Sequence, residues 1–157
     1  MARVGLDGNA ATDLPVRDRP YRLSVLGATG SIGTSTLDLV GRHCESYEIV
    51  ALTAQSRPEE LAQLAMRHGA RLAVIGDDKH YAALKAALGA SGIKAAAGAE
   101  ALCEAASEPS DCVMAAIVGA AGLKPTFAAL ERGRRIALAN KECLVSAGSV
   151  FTSAVAR

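Results

Sequence analysis

Three glycines in the spacing G-x-x-G-x-x-G, at Gly27, Gly30 and Gly33, constrain the fold of this chain more than any other feature. They follow the short apolar run Leu23–Leu26, which has the length of a β-strand, and an amphipathic helix pattern begins within the motif. Such a turn needs a positive φ, brings the backbone close to a phosphate and directs the free N–H groups of the helix start at it. We therefore expect Gly27–Gly33 to bind the pyrophosphate of a dinucleotide.

The rest of the chain alternates between strand and helix patterns. Further strands are predicted at Tyr47–Thr53, Leu72–Ile75, Ile93–Ala96, Cys112–Val118 and Ile136–Ala139, and further helices at Pro58–His68, His80–Leu88, Ala99–Ala106, Gly122–Arg132 and from Ser149 onward. In the first helix, one face is expected to carry Ile32, Thr36, Leu39 and Val40. Alternation with continuously apolar strands predicts an α/β fold: a doubly wound, mostly parallel, Rossmann-like sheet with helices on both faces.

Composition narrows the possible partners. The chain has 157 residues, half of them hydrophobic, and a net charge of +1 from 17 basic and 16 acidic residues, which suits one domain. With no basic block and only three Tyr and two Phe, nucleic-acid binding is not expected. No apolar run approaches the roughly 18 residues of a membrane span, so no membrane partner is expected either.

Residues 1–20 carry mixed charges and no apolar signal-peptide core, and they predict a mobile extension ahead of a domain at 21–157. The four cysteines are far apart and form no C-x-x-C. We interpret them as small buried or half-buried thiols of a cytoplasmic protein, not as disulfides or zinc ligands. The last helix pattern runs into Arg157 without a stop signal, which suggests the first part of a longer protein.

The end of the second strand bears on the choice of dinucleotide. NAD sites of this type place Asp or Glu there, but Thr53–Arg57 contains no carboxylate, and the first one is Glu59. A hydroxyl at Ser56 and a guanidinium at Arg57 suit a 2′-phosphate, since Arg presents a rigid donor fork to an anion. The alternative is that Arg57 is a solvated loop residue.

Two later segments also follow predicted strands. Ala115 and Ala116 precede a turn of small residues, where a flat cofactor could lie against the backbone, although close packing explains this pattern equally well. Asn140, Lys141 and Glu142 supply an amide, a cation and a carboxylate at the end of another strand. Taken alone, this segment is more typical of an exposed polar turn in which Asn140 caps the next helix.

Taken together, G-A-T-G-S-I-G-x-S-T-L-D, M-A-A-I-V-G-A-A-G-L and L-A-N-K-E-x-L-V closely resemble the 1-deoxy-D-xylulose 5-phosphate reductoisomerases, from Tyr21 to Arg157. The resemblance implies an NADPH- and Mg²⁺- or Mn²⁺-dependent rearrangement and reduction to 2-C-methyl-D-erythritol 4-phosphate in non-mevalonate isoprenoid synthesis. It also implies an intact enzyme that is a homodimer.

The resemblance implies a role for each matching position. The residues expected at the pyrophosphate are Thr29, Gly30, Ser31 and Ile32, within the turn that Gly27 and Gly33 frame. It further implies that Ser56 and Arg57 meet the adenosine phosphate, that Ala115 and Ala116 border the cofactor, that Asn140 and Glu142 contact the nicotinamide side, and that Lys141 faces the substrate.

Two departures from the family pattern matter. The loop after the second strand is commonly Gly-Lys-Asn-like but is Gln55-Ser56-Arg57 here, which moves phosphate recognition to Arg57. The family's D-S-E-H-type metal motif is absent from residues 1–157, so we expect no metal ligands in this chain and no catalysis by it alone. Rival interpretations are the N-terminal domain of another NADP-linked dehydrogenase and a non-catalytic nucleotide sensor.

Overall fold

The computed structural model describes residues 18–139, together with residues 141 and 148. Within them, strands and helices alternate along the chain: β1 (Tyr21–Leu26), α1 (Ser31–Arg42), β2 (Tyr47–Ala54), α2 (Pro58–Arg67), β3 (Leu72–Ile75), α3 (Tyr81–Leu88), β4 (Lys94–Ala97), α4 (Gly98–Ser107), β5 (Cys112–Ala115), α5 (Leu123–Glu131) and β6 (Arg135–Leu138). Short 3₁₀ turns, Asp78–His80 and Ala120–Gly122, lead into α3 and α5.

The strands form one sheet in the order β4-β3-β2-β1-β5-β6, and every pair of neighbours is parallel. The chain moves outward from β1 to β4 and then crosses to the other side of β1 to form β5. This reversal creates a switch point between β1 and β5, where open α/β sheets bind their ligands. The predicted doubly wound, Rossmann-like fold is confirmed.

Apolar side chains fill both faces of the sheet. On one face, Val25 of β1 and Leu52 of β2 pack in a core that includes Leu37 of α1, Leu61 of α2 and Leu84 of α3. The opposite face is covered by helices α4 and α5, through residues such as Ala106 and Ala129. Because the two faces use alternate residues of each strand, the strands read as unbroken apolar runs in the sequence.

Most predicted element boundaries lie within one or two residues of the observed ones, but two expectations were wrong. The strand predicted at Cys112–Val118 ends at Ala115, because the chain then turns toward Gly119, which has a φ of 75°. In α1 the buried residues are Gly33, Leu37 and Val40, whereas Ile32 and Leu39, expected on the same face as Val40, are exposed. The helix predicted from Ser149 lies outside the described residues.

The predicted N-terminal extension makes a defined contact where it meets the domain. The Arg19 guanidinium donates two hydrogen bonds to the Asp111 carboxylate, at 2.7 and 2.8 Å, and Asp111 also accepts one from the backbone N–H of Arg22 at 2.8 Å. These contacts lie at the amino ends of β1 and β5, opposite the switch point. Among the described residues, no helix has the length and apolar character needed to cross a membrane.

Candidate nucleotide-binding site

Gly27 makes the sharp turn at the carboxyl end of β1. Its φ is +85°, and a Cβ placed on it would lie 2.7 Å from the carbonyl oxygen of Ala116, so both conformation and space favour glycine. The Gly27 N–H donates to the carbonyl oxygen of Thr53 at 3.1 Å and to its Oγ1 at 3.0 Å, and the Ala28 N–H donates to the same carbonyl at 2.7 Å. The turn is therefore held between the ends of β2 and β5.

The other two glycines have different environments. A Cβ on Gly33 would lie 2.2 Å from the Gly27 carbonyl oxygen, so this glycine allows α1 to approach the turn closely. A Cβ on Gly30 would meet only that same oxygen, at 3.4 Å, and the φ of Gly30 is −81°. The positive φ that the motif requires is thus at Gly27, and Gly30 instead leaves an open face.

The start of α1 presents backbone donors at this open face. Gly30 is the N-cap residue, and no side chain caps the helix. The first turn of an α-helix has N–H groups without an intrahelical acceptor, and they carry its positive partial charge. Ser31 and Ile32 are exposed here, whereas Thr29 is buried in the turn. The arrangement can bind an anion such as a pyrophosphate.

Arg57 joins the end of β2 to the glycine turn. Its Nη2 donates to the carbonyl oxygen of Thr29 at 2.5 Å, and its Nη1 donates to Glu60 Oε2 at 3.0 Å. The structure therefore places Arg57 beside the predicted pyrophosphate site. A residue that binds the 2′-phosphate of the same dinucleotide would have to lie near that site. Ser56 is exposed in the same loop.

Sequence reasoning missed two residues of this site. Thr53 is completely buried, and its hydroxyl and carbonyl together fix the turn, although in the sequence it is merely the last threonine of an apolar strand. Glu60 lies in the first turn of α2, and its carboxylate accepts a hydrogen bond from Arg57 Nη1. The spacing of three residues at a helix start could have suggested that pairing.

On the β3 side of the glycine turn, the loops that follow β2 and β3 contact each other. The Gln55 side chain lies across Gly76, after β3, where a Cβ would come within 2.4 Å of Gln55 Oε1. Further along, Asp77 accepts a hydrogen bond from the Lys79 backbone, and hydrogen bonding to the Lys79 side chain holds the Asp77 pKa below its usual value. The edge beside β3 is therefore occupied by an already paired carboxylate.

On the β5 side, the two predicted alanines differ in exposure. Ala115 is 2% exposed within the strand, whereas Ala116 follows the strand, is half-buried and donates its N–H to the carbonyl oxygen of Leu26 at 2.9 Å. A cofactor lying along this edge would meet Ala116 before Ala115. Val118, two residues on, is 83% exposed.

The remaining site predictions lie near the end of the described chain. Lys141 is exposed in a helical conformation, and Asn140 and Glu142 lie outside the described residues. Throughout the part of the chain that the structure describes, no three His, Cys, Asp or Glu side chains gather closely enough to hold a metal ion.

The cysteines only partly match their interpretation as buried thiols. Cys112 is buried and Cys103 half-buried, and burial raises the pKa of both thiols. Cys44 is exposed, so the interpretation was wrong for that residue. Cys143 lies outside the described residues.

The parallel sheet, its switch point and the glycine turn at the start of α1 define a Rossmann-like α/β domain. The sequence model of the 1-deoxy-D-xylulose 5-phosphate reductoisomerase family matches residues 23–148. The chain belongs to that family.

Individual relatives agree with this assignment. The reductoisomerase of Pseudomonas paraeruginosa is 55% identical over 142 residues, which are 88% of this chain and 36% of that protein. A solved structure of the Zymomonas mobilis reductoisomerase in complex with NADPH is 53% identical, with a TM-score of 0.86 over 87% of this chain and 36% of that one. A DOX-P reductoisomerase complex with NADPH, fosmidomycin and magnesium is 44% identical, with a TM-score of 0.81 over 87% of this chain and 34% of that one. The chain spans about a third of the length of the relatives it matches.

Proposed function

We propose that this chain binds NADPH, with the pyrophosphate on the α1 start and the adenosine 2′-phosphate on Arg57. The observation that carries this proposal is the contact between Arg57 Nη2 and the carbonyl oxygen of Thr29. It sets a guanidinium directly beside the glycine turn, so that one ligand could contact both. The NADPH complex of the Zymomonas mobilis relative supports the same ligand.

The residues present fit this cofactor. A Cβ on Gly30 would meet one atom within 4 Å, so this face is open to a phosphate, and the backbone N–H groups of the exposed residues Ser31 and Ile32 provide donors for it. Thr29, Gly27 and Gly33 shape the turn, with Thr29 contributing through its backbone. Ser56 and Arg57 meet the 2′-phosphate, since no carboxylate occupies the last position of β2 to accept a ribose 2′-hydroxyl. For that reason, this site binds NADPH more tightly than NADH.

We infer that the whole protein converts 1-deoxy-D-xylulose 5-phosphate to 2-C-methyl-D-erythritol 4-phosphate, by rearrangement followed by reduction. Bound NADPH supplies the hydride for the reduction. Ala115 and Ala116 border the cofactor, Asn140 and Glu142 contact its nicotinamide side, and Lys141 holds the substrate as the catalytic residue of this chain. The carboxyl ends of β5 and β6 lie at the edge that bears the glycine turn. Ala115 ends β5, Ala116 follows it, and residues 140–142 come soon after β6 in the sequence, which supports these roles.

The proposal for the whole protein has three further parts. The whole protein uses Mg²⁺ or Mn²⁺, which the magnesium in the DOX-P reductoisomerase complex supports, and the ligands lie outside this chain. The intact enzyme is a cytoplasmic homodimer. Residues 21–157 form its NADPH-binding domain, preceded by an extension at residues 1–20.

Calorimetric titration of the purified chain with NADPH and with NADH tests the binding proposal. We expect saturable binding of NADPH and at least tenfold weaker binding of NADH, which corresponds to about 1.4 kcal/mol. Equal affinities would contradict the role of Arg57. Failure of both nucleotides to bind would contradict the proposed function itself.

A further inference from the structure

The Arg57 guanidinium has two acceptors: a neutral backbone carbonyl in the glycine turn and a negatively charged carboxylate in α2. Its Nη2 contacts the glycine turn through the Thr29 carbonyl, whereas its Nη1 forms an ion pair with Glu60 at 3.0 Å. Glu60 lies in the first turn of α2, three residues beyond Arg57, and both side chains are partly exposed, at 39% and 55%. A carboxylate therefore sits beside the cation that would bind the 2′-phosphate.

We propose that Glu60 is a specificity-determining residue of the nucleotide site, which orients Arg57 toward the glycine turn and limits the affinity of Arg57 for a 2′-phosphate. This inference rests on the proposed binding of NADPH. It concerns how strongly the site separates NADPH from NADH, not whether the site binds a dinucleotide.

Charge explains the limiting effect. A 2′-phosphate that approaches Arg57 either shares the guanidinium with the Glu60 carboxylate, which places two anions within a few ångströms of each other, or displaces the carboxylate, which costs the ion pair. Like charges at such distances repel, and solvent at a half-exposed site reduces the repulsion without removing it. A ribose 2′-hydroxyl is neutral and does not meet this repulsion. Glu60 therefore weakens NADPH binding and leaves NADH binding nearly unaffected.

Orientation and charge can be separated by one substitution. In Glu60→Gln, the amide oxygen can still accept from Arg57 Nη1, so the guanidinium keeps its position, while the negative charge is lost. If Glu60 only positioned Arg57, this variant would bind NADPH as before or more weakly. If its charge acts as proposed, the variant binds NADPH more tightly.

Glu59 offers a matched control. It is exposed in the same first turn of α2, and Glu59→Gln removes the same charge from the same helix end. Any effect on the helix dipole or on the net charge of the chain is therefore common to both variants. Only an effect through the Arg57 contact is specific to Glu60.

The experiment is calorimetric titration of the unmodified chain and both variants with NADPH and NADH, at low and at high salt. For Glu60→Gln we expect about three- to tenfold tighter NADPH binding at low salt, a smaller gain at high salt, and NADH binding within about twofold of the unmodified chain. Glu59→Gln should bind both nucleotides within about twofold of the unmodified chain.

Unchanged or weaker NADPH binding by Glu60→Gln would overturn the inference, as would an equal gain for NADH or for Glu59→Gln. Binding of neither nucleotide by the unmodified chain would overturn the proposed function instead. The two failures are thus distinguishable in the same series of titrations.

Discussion

The three glycines of the motif differ in backbone conformation and in what surrounds them. Gly27 adopts the positive φ and lies against Ala116, Gly33 lets α1 contact the turn, and Gly30 faces open space. Packing therefore requires the outer two, whereas the space around Gly30 would accept a side chain, and we propose that a bound phosphate occupies it. This difference separates substitutions that damage the fold from one that damages binding.

Gly30→Val and Gly33→Ala test this separation. A Cβ on Gly30 meets one atom at 3.4 Å and the φ of −81° is allowed for valine, so we expect this variant to keep its fold and lose NADPH binding, because its side chain occupies the phosphate space. In Gly33→Ala the Cβ would lie 2.2 Å from a backbone oxygen, and this overpacking should cost about 1–3 kcal/mol of folding stability.

Urea denaturation and NADPH titration measure the two effects. Normal NADPH binding by a folded Gly30→Val variant would contradict the placement of the phosphate. Unchanged stability of Gly33→Ala would contradict the close packing of α1 against the turn.

Arg57→Ala should weaken NADPH binding by about 1.5–3 kcal/mol, the range for a lost hydrogen bond to a charged group. NADH lacks the 2′-phosphate, so its affinity should change little. Arg67→Ala, at the far end of α2, serves as a control of equal charge and should bind both nucleotides normally. Calorimetry gives the affinities, and equal losses for NADPH and NADH would indicate that Arg57 acts only by supporting the turn.

At the scale of single residues, a role can be predicted from the sequence when the residue type has few other structural roles. The glycine spacing located the turn correctly, because a sharp turn needs glycine. Arg57 lies beside this turn, and its role as a phosphate ligand stays a prediction. Thr53 and Glu60 escaped prediction because a strand threonine and a helix-start glutamate have many ordinary uses. Only the fold brings their oxygens to Gly27 and Arg57.

At the scale of elements, β3 was predicted fully and the buried face of α1 was not. β3 was predicted residue for residue, since Leu72–Ile75 is an apolar run bounded by turn residues. The wrong face of α1 has a physical cause: Gly33 must face the turn, and the buried positions Leu37 and Val40 follow it at helical spacing. Hydrophobicity alone does not distinguish Ile32 and Leu39 from the residues that are buried on that face.

The loop before β5 is tied to the start of β1 by Asp111, which accepts from Arg19 and from the Arg22 backbone. Asp111→Ala removes the carboxylate that these donors share and should destabilise the fold by about 1–3 kcal/mol. Asp38→Ala removes an exposed ion pair with Arg42 on α1 and should cost less than about 0.5 kcal/mol. Urea denaturation compares the two, and equal losses would show that the Asp111 contacts contribute no more than an exposed ion pair.

At the scale of the whole molecule, the proposed nucleotide site and a structural contact lie at opposite edges of the sheet. Its carboxyl edge carries the glycine turn, Arg57 and Ala116, and its amino edge carries the Arg19–Asp111 contact. The fold class could be predicted from alternating patterns, whereas the strand order could not, because the pattern gives no pairing partners. The order places β5 beside β1 and thereby Ala116 beside Gly27.

The 157-residue chain by itself should not convert 1-deoxy-D-xylulose 5-phosphate, even with NADPH and Mg²⁺ or Mn²⁺. Metal-assisted rearrangement needs several oxygen ligands that converge on the substrate, and we place these ligands outside this chain. Loss of NADPH absorbance measures turnover, with the complete Pseudomonas paraeruginosa reductoisomerase as the positive control. Substrate-dependent oxidation of NADPH by this chain would contradict the proposal that the metal ligands lie outside it.

The most direct test of the nucleotide site is a ¹⁵N-labelled NMR titration of the chain with NADPH. We expect the largest amide shifts at the glycine turn and α1 start, at Arg57 and at Ala116, and little change near Arg19 and Asp111. With NADH, the shifts at Arg57 should be much smaller than those at the turn. Shifts concentrated at the amino edge of the sheet, with the glycine turn unaffected, would contradict the site.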